Sequence, residues 1–504
     1  MPEGPLPYQY EVEEPSSGMT AVAGLPAVVE FCHTMGLGRL IAKHVQVHGE
    51  TQGWTDEQLI NALLLLNIAG GDCVDDIRML EADDGLCRFL RGIENYGRTS
   101  SERRALKRRW RKKRSRTLPC PTALLDFLRL FHDEEQEEKR EPHKAFIPTL
   151  TDGLKGLVRL IADVIAVVQR WSPQSTATLD MDATVAQTWK KGALYCYKKY
   201  RSYQPMNIYW HEHGLVLYSE FRDGNVPACC ELLRVFKEGL DQLPQGVKKV
   251  FFRSDSAGYV EDLLVYCAEG KNRRFGLIEF AVGADITAEL KKAINEPETT
   301  WSRLFRMVKG QPVDTGQEYA EVCFVPNWVG EKKHGPEYRF LAIREPLKRA
   351  DGGKKGKEAG LPFPTMDFGP VRYKVTALVT NRTIPADEVI WWYRERCGKS
   401  EEAHSVMKED LAGGKFPSSL FGANAAWWQI MILAFNINEA MKRLVLGGEW
   451  VSRRLKALRF WLINIPGRVY EQARGLVIRL VGRHPSYDLL RTARRRMANL
   501  GEAT

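Results

Sequence analysis

STATLDMDATV at residues 175–185 opens the most informative stretch of the chain. MNIYWHEHGLVLYSEFRDGN at 206–225, PACCELLRVFKEGLDQL at 227–243 and GVKKVFFRSDS at 246–256 follow it. The first segment reads as a strand, because β-branched and apolar residues dominate it. The second reads as a hairpin turning at WHEHG, the third as a helix and the fourth as another strand. Asp182 then lies on the first strand and Asp255 at the C-terminal end of the fourth. Asp180 shares the face of Asp182, two residues away, and is an alternate to it.

Working outward, VEDLLVYCAEG (260–270) reads as a helix and RRFGLIEFAV (273–282) as a fifth strand. The order strand, strand, strand, helix, strand is the core of an RNase H-like α/β fold, which would make Asp182 and Asp255 neighbours in the sheet. Antiparallel strands in EYAEVCFVPNWV (318–329) and PEYRFLAIREPL (336–347) interrupt that rhythm, and a Gly/Lys-rich loop expected to be mobile follows at 349–362. VRYKVTALVTN (371–381) returns to strand character. PADEVIWWYRERCGK (385–399) begins a helix expected to run on through WYRERCGKSEEAHSVMKEDL (392–411). In such a helix Arg394, Glu401 and Lys408, seven residues apart, share one face.

The flanks are helical. LPAVVEFCHTMGLGRLIAK (25–43) has helical spacing, Thr55 reads as an N-cap, and 151–171 reads as an amphipathic helix. The expected organisation is a disordered leader at 1–26 and a helical, basic, DNA-binding region at 27–150. The two parts of the core then occupy 151–296 and 371–446, around a mostly β insertion and mobile loop at 297–370. Basic C-terminal helices fill 447–504.

The chain has 504 residues, 44% apolar and 27% charged, the proportions of a globular protein. No apolar run approaches the length of a membrane span, and the run at 425–435 is short and holds Gln429. The first residues lack the basic-then-apolar pattern of a secretory signal. Ten cysteines without a C-x-x-C pair suggest a reducing cytoplasm, with neither zinc site nor disulfide framework. The net charge of +10 is unevenly spread. Ten of the fourteen residues from Arg103 to Arg116 are Lys or Arg, and arginines stud the C-terminus, a distribution that favours phosphate backbones.

Three acids, two on strand ends and one on a basic helix, suit divalent metal ions and phosphodiester chemistry. Such ions can activate an oxygen nucleophile and stabilise the leaving oxygen when carboxylates hold them from opposite sides. Mg²⁺ prefers hard oxygen ligands and keeps several waters, so few carboxylates suffice. His211-x-His213 falls at a turn and lacks further ligands for zinc. Gly398-Lys399-Ser400 echoes a phosphate loop, but Tyr393 stands where the first glycine is required, which argues against a nucleotide cofactor. Tyr195, Tyr197, Tyr200 and Tyr203, interleaved with Lys198, Lys199 and Arg201, either line DNA or cover the sheet edge.

Together, Asp182-Ala183-Thr184, Arg253-Ser254-Asp255-Ser256, Thr380-Asn381 and the run from Tyr393 to Lys408 resemble bacterial insertion-sequence DDE transposases of the cut-and-paste type, whose RNase H-like core carries a β-strand insertion. In that family a helix motif Y-x2-R-x3-E-x6-K surrounds the third acid. Here Tyr393-x2-Arg396 is followed by four residues before Glu401, and x6 then leads to Lys408; the spacing to the lysine selects Glu401, with Glu402 as alternate. The resemblance implies Asp182, Asp255 and Glu401 as catalytic metal ligands for Mg²⁺, with Mn²⁺ as a substitute. It implies DNA contacts from Tyr393, Arg394, Arg396 and Lys408, and from Trp301 in the insertion as a base-stacking ring or a core residue. It further implies binding of double-stranded DNA, as terminal inverted repeats and target, by a homodimer in the bacterial cytoplasm, associated with the nucleoid when DNA-bound. The competing expectations are a catalytically inactive DNA-binding regulator and an RNase H-like nuclease.

Overall fold

A computed structural model describes residues 17–49, 52–330, 338–347, 363–473 and 475–502. Most of the expected leader and the Gly/Lys-rich loop lie outside the described residues. Five strands form the centre: β1 (Thr176–Ala183), β2 (Met206–Trp210), β3 (Leu215–Glu220), β4 (Lys249–Ser254) and β5 (Glu279–Ala284). They lie in the order β3-β2-β1-β4-β5, with β1–β2 and β2–β3 antiparallel and β1–β4 and β4–β5 parallel. This is the RNase H-like arrangement. Every residue of β2 and β3 is buried, which explains their nearly continuous apolar sequence.

The insertion extends this same sheet. Strands β6 (Ser302–Val308), β7 (Gln311–Val322), β8 (Arg339–Pro346), β9 (Thr365–Phe368) and β10 (Val371–Thr380) continue it antiparallel in the order β5-β10-β8-β7-β6, with β9 also on β10. Lys309 and Gly310 join β6 to β7 with φ of +49° and +80°, the doubly left-handed pair that matches the twist of a tight hairpin.

Helices cover both faces. α1 (Asp56–Ala69) starts at a capping box in which Thr55 and Gln58 satisfy each other's backbone N–H groups, and α2 (Asp152–Trp171) starts at Thr151. α3 (Leu232–Asp241) and α4 (Glu261–Ala268) flank β4, with Phe236 of α3 against Phe252 at a ring separation of 4.6 Å. Phe252 alternates with Arg253, so Arg253 faces the opposite side, under α5 (Ala386–Arg394) and α6 (Arg396–Ser405).

α7 (Phe421–Met441) is the central buried helix. Its amides close the outer edge of β3: Asn436 accepts from Val216 N and donates to Val216 O, both at 2.8 Å, and Gln429 donates to Ser219 O at 2.7 Å. The polar residues in this apolar helix thus satisfy an edge strand that would otherwise be buried unpaired. Among the described residues no helix is long and apolar enough to cross a membrane.

The first and last described segments pack together. Met19–Thr20 pairs with Gly467–Gln472, which pairs with Gly475–Leu480, and α8 (Tyr487–Glu502) packs on the helix Leu25–Thr34. The region from 447 onward, expected to be helical, therefore also holds two strands. Their alternation is short and Arg-interrupted, so it reads poorly as a sheet until the N-terminal strand is there to pair with it.

Candidate active site

Asp180 and Asp182 project from the same face of β1, but their surroundings differ. Asp180 stands directly across from Arg253 on β4 and takes a two-pronged ion pair from it, at 2.6 and 2.9 Å. Both side chains are fully buried. Arg253 also meets His211 Nδ1 at 2.9 Å and donates to the Trp392 carbonyl. Burial pushes the Asp180 carboxyl up, yet hydrogen bonds from His211 and Arg253 outweigh it and hold the group below its ordinary range. Asp180 is thereby engaged in pinning β1, β4 and α5 together. His211, expected as a plain turn residue, folds its ring into this pair.

Asp182 sits one step closer to the strand end, with 19% of its side chain exposed. Its carboxyl is pushed up to about 6, first by burial and then by the charges of Asp255 and Glu401, while Arg396 opposes the rise. Asp182 thus lies within reach of the charge of an acid at the end of β4 and of another on α6. Asp255 caps the short turn Ser256–Gly258 by accepting from Ala257 N at 3.1 Å. Glu401 is exposed. Glu402 is exposed as well, and its charge acts on buried Tyr209 and on half-buried Glu439.

Arg396 reaches Asp182 Oδ2 at 3.2 Å, and its guanidinium lies 5.8 Å from the Tyr393 ring centre. The Tyr393 hydroxyl lies over Gly283 of β5: a Cβ there would be 3.3 Å from it and 2.9 Å from Ser256 N. Glycine at 283 therefore lets Tyr393 and the Asp255 turn approach the sheet together. The expected continuous helix from 385 to 411 is interrupted. α5 ends at Arg394, Gly398 has φ +98°, and a wider π-helical turn occupies Val406–Asp410. The residue inserted before Glu401 is absorbed by this break. As a result Arg394 does not share a face with Glu401. It donates to Gln317 of β7 at 2.7 Å and lies over Trp391.

Lys408 is half-buried in the π-helical turn. Beside it is a residue that sequence reading missed. His404 lies with Nδ1 4.0 Å from Asp182 Oδ2 and is held neutral, its pKa depressed to about 3 by burial and by the charges of Lys408 and Arg396. Its only sequence signal is its place one helical turn beyond Glu401.

Of the other expected contacts, Trp301 is half-buried beside the insertion strands, with the Arg344 guanidinium over its ring at 4.0 Å and Phe368 against it at 5.6 Å. Arg344 also lies over Phe368 and Tyr373, so the ring belongs to an aromatic cage around that arginine. Thr380 and Asn381 tie the end of β10 to β5: Thr380 Oγ1 donates to Phe280 O, and the Asn381 amide spans Phe280 N and Ile278 O. In the basic run, Arg109 donates to the Gln52, Gly53 and Trp54 carbonyls and Arg114 pairs with Glu94. Arg103, Arg104, Lys107, Arg108, Arg111, Lys112 and Lys113 stay exposed.

The chemistry of the candidate donors, carboxylate oxygens from Asp182, Asp255 and Glu401, is the kind that a hard divalent cation takes. Of these, Asp182 is half-buried, and its carboxyl is raised first by that burial, with the charges of Asp255 and Glu401 adding to it. Their arrangement differs from their chemistry: among the described residues no three His, Cys, Asp or Glu side chains stand close enough to share one ion, and Arg396 supplies the positive charge beside Asp182.

Among solved structures, a piggyBac transposase synaptic complex with hairpin DNA aligns over 95% of this chain and 79% of its own, at 10% identity and a TM-score of 0.39. No curated protein gives a significant sequence match. The family model "Transposase DDE domain group 1" matches residues 10–324 and 364–502, nearly the whole chain. The chain belongs to the DDE transposase family.

Proposed function

We propose that this transposase serves an insertion sequence: it binds terminal inverted repeats, cleaves the strands there and joins the freed 3′-hydroxyl to target DNA. The observation that supports the reading is the Asp182 carboxyl, half-buried near the end of β1 beside Arg396 and raised by burial and by the charges of Asp255 and Glu401. Asp182, Asp255 and Glu401 would hold Mg²⁺, or Mn²⁺ in its place. A cation so bound supplies the positive charge that activates water or a 3′-hydroxyl and steadies the leaving oxygen. Arg396 and Lys408, on the same helical segment, offset phosphate charge as the strand enters. His404, being neutral, adds no competing charge and packs the helix against Asp182. Tyr393 buttresses the Asp255 turn. Two ends must be processed together, which fits a homodimer, and nothing in the chemistry requires a nucleotide.

The test uses the purified full chain, Mg²⁺ and duplexes carrying the sequences that flank its gene. Cleavage followed by strand joining supports the reading. Asp255→Ala should abolish both while duplex binding persists. Full cleavage by Asp255→Ala would overturn the assignment, and cleavage without joining would favour a nuclease.

A further inference from the structure

The connection between β1 and β2 carries aromatic rings that the fold leaves in water. Trp189 is 91% exposed, Tyr197 74% and Tyr195 56%. A Trp so placed gives up the burial that usually fixes this residue in a protein. The connection is nevertheless well built. Ala186–Gln187 pairs with Ser202–Tyr203, Thr188 N donates to Arg201 O at 2.9 Å, and Tyr195 bridges Arg201. Ala193, Cys196 and Tyr203 anchor it in the interior. Gly192 packs so closely on Ser419 O that a Cβ would meet it at 1.9 Å, and Arg140 donates to Gly192 O at 2.6 Å. The exposed rings are thus held out by a fixed hairpin.

Cations are interleaved with the rings. Lys198 lies over Tyr197 at 5.6 Å and Arg201 over Tyr195 at 5.0 Å. Lys190 and Arg201 donate to the backbone carbonyls of Pro417 and Ala193, which leave their charge in place, and Lys191, Lys198 and Lys199 are exposed. Trp189 is seven residues beyond Asp182, within about 25 Å by chain length. Because β1 and β4 are parallel, the hairpin leaves the sheet at the end that also carries Asp255.

We infer that this hairpin binds unpaired DNA bases beside the cleavage point, with Trp189 as the stacking platform, Tyr195 and Tyr197 flanking it, and the lysines on the backbone. The inference rests on the function proposed above. A free ring face accepts any unstacked base, and neighbouring cations take the phosphates between bases; paired, stacked duplex offers no such face. A protein partner would call for a contiguous apolar patch, whereas here every ring has a charged neighbour.

The test measures binding of the full chain, in EDTA, to a blunt duplex and to the same duplex with a short single-stranded tail. Wild type should prefer the tailed duplex. Trp189→Ala should lose about tenfold in affinity for it, the scale of one base–aromatic stack, with blunt binding and melting temperature unchanged. Trp189→Phe should retain most of the preference. Equal loss on both duplexes, or no loss, would overturn the inference. So would a Trp189→Ala protein that changes oligomeric state by sedimentation while keeping its tail preference, since the ring would then be a protein interface. Mg²⁺-dependent cleavage is scored in parallel. A tail preference lost in Trp189→Ala, in a protein that cleaves nothing, supports the hairpin and counts against the proposed function. Cleavage without a tail preference does the reverse.

Discussion

Arg396 on α6 reaches back 214 residues to the Asp182 carboxylate on β1, at 3.2 Å. This contact ties the helix that carries Glu401 to the strand that carries the first acid. Removing it should disturb chemistry more than folding. Arg396→Gln is expected to lower strand cleavage by about ten- to a hundredfold, the worth of one charged hydrogen bond. Arg396→Lys should fall less, and duplex binding by Arg396→Gln should weaken far less than cleavage does. Single-turnover cleavage alongside a binding titration checks this.

Asp180 and Arg253 form a fully buried pair that serves the fold. Asp180→Ala leaves a buried guanidinium uncompensated, at a cost of about 3–5 kcal/mol. That is a large share of the roughly 5–15 kcal/mol that holds a domain together. Chemical denaturation should show this loss for Asp180→Ala and little change for Asp255→Ala, separating the structural aspartate from the proposed ligand.

Gly398 interrupts the helix with φ +98°, although nothing lies within 4 Å of where a Cβ would stand. Gly398→Ala is therefore strained by backbone conformation alone, by about 1–2 kcal/mol. Because the break sets the rotation of Glu401 relative to Arg396, cleavage should drop further than the small fall in melting temperature would suggest. Circular dichroism melts paired with cleavage rates test the disproportion.

His213 is buried, bonded to Gln169 at 2.7 Å, and its pKa is depressed from 6.5 to about 4 by burial and by Arg443. Below about 6.5 the unfolded chain takes up a proton that the folded chain refuses. The stability present above that pH is then lost as the pH falls toward 4, by up to roughly 3 kcal/mol for this group. Urea midpoints at pH 7.5 and 5 should show the fall, and His213→Gln should lessen it.

The central fold was legible because its strands are apolar and follow one another along the chain with a single helix before the fourth, and because Asp182 and Asp255 lie at the ends of two of them. The continuation of the sheet through the insertion was less so, since the antiparallel strands there carry no signal of which edge they join. The helix break at Gly398 was foreshadowed by the extra residue before Glu401, but periodicity alone reads straight through it. His404 went unseen because its role depends on Asp182 lying beneath it, a contact made across more than two hundred residues. Asp180 and Asp182 are indistinguishable by alternation, and only the Arg253 opposite one of them separates their roles.

The most direct test of the three-acid account compares Glu401→Gln with Glu402→Gln in Mg²⁺-dependent cleavage of duplexes carrying the gene's flanking sequences. Glu401 adds its charge to Asp182, whereas Glu402 adds its charge to Tyr209 and Glu439. Glu401→Gln should lose at least about a thousandfold in rate, and Glu402→Gln should cleave at near wild-type rates. Full activity in Glu401→Gln, or loss confined to Glu402→Gln, would contradict it.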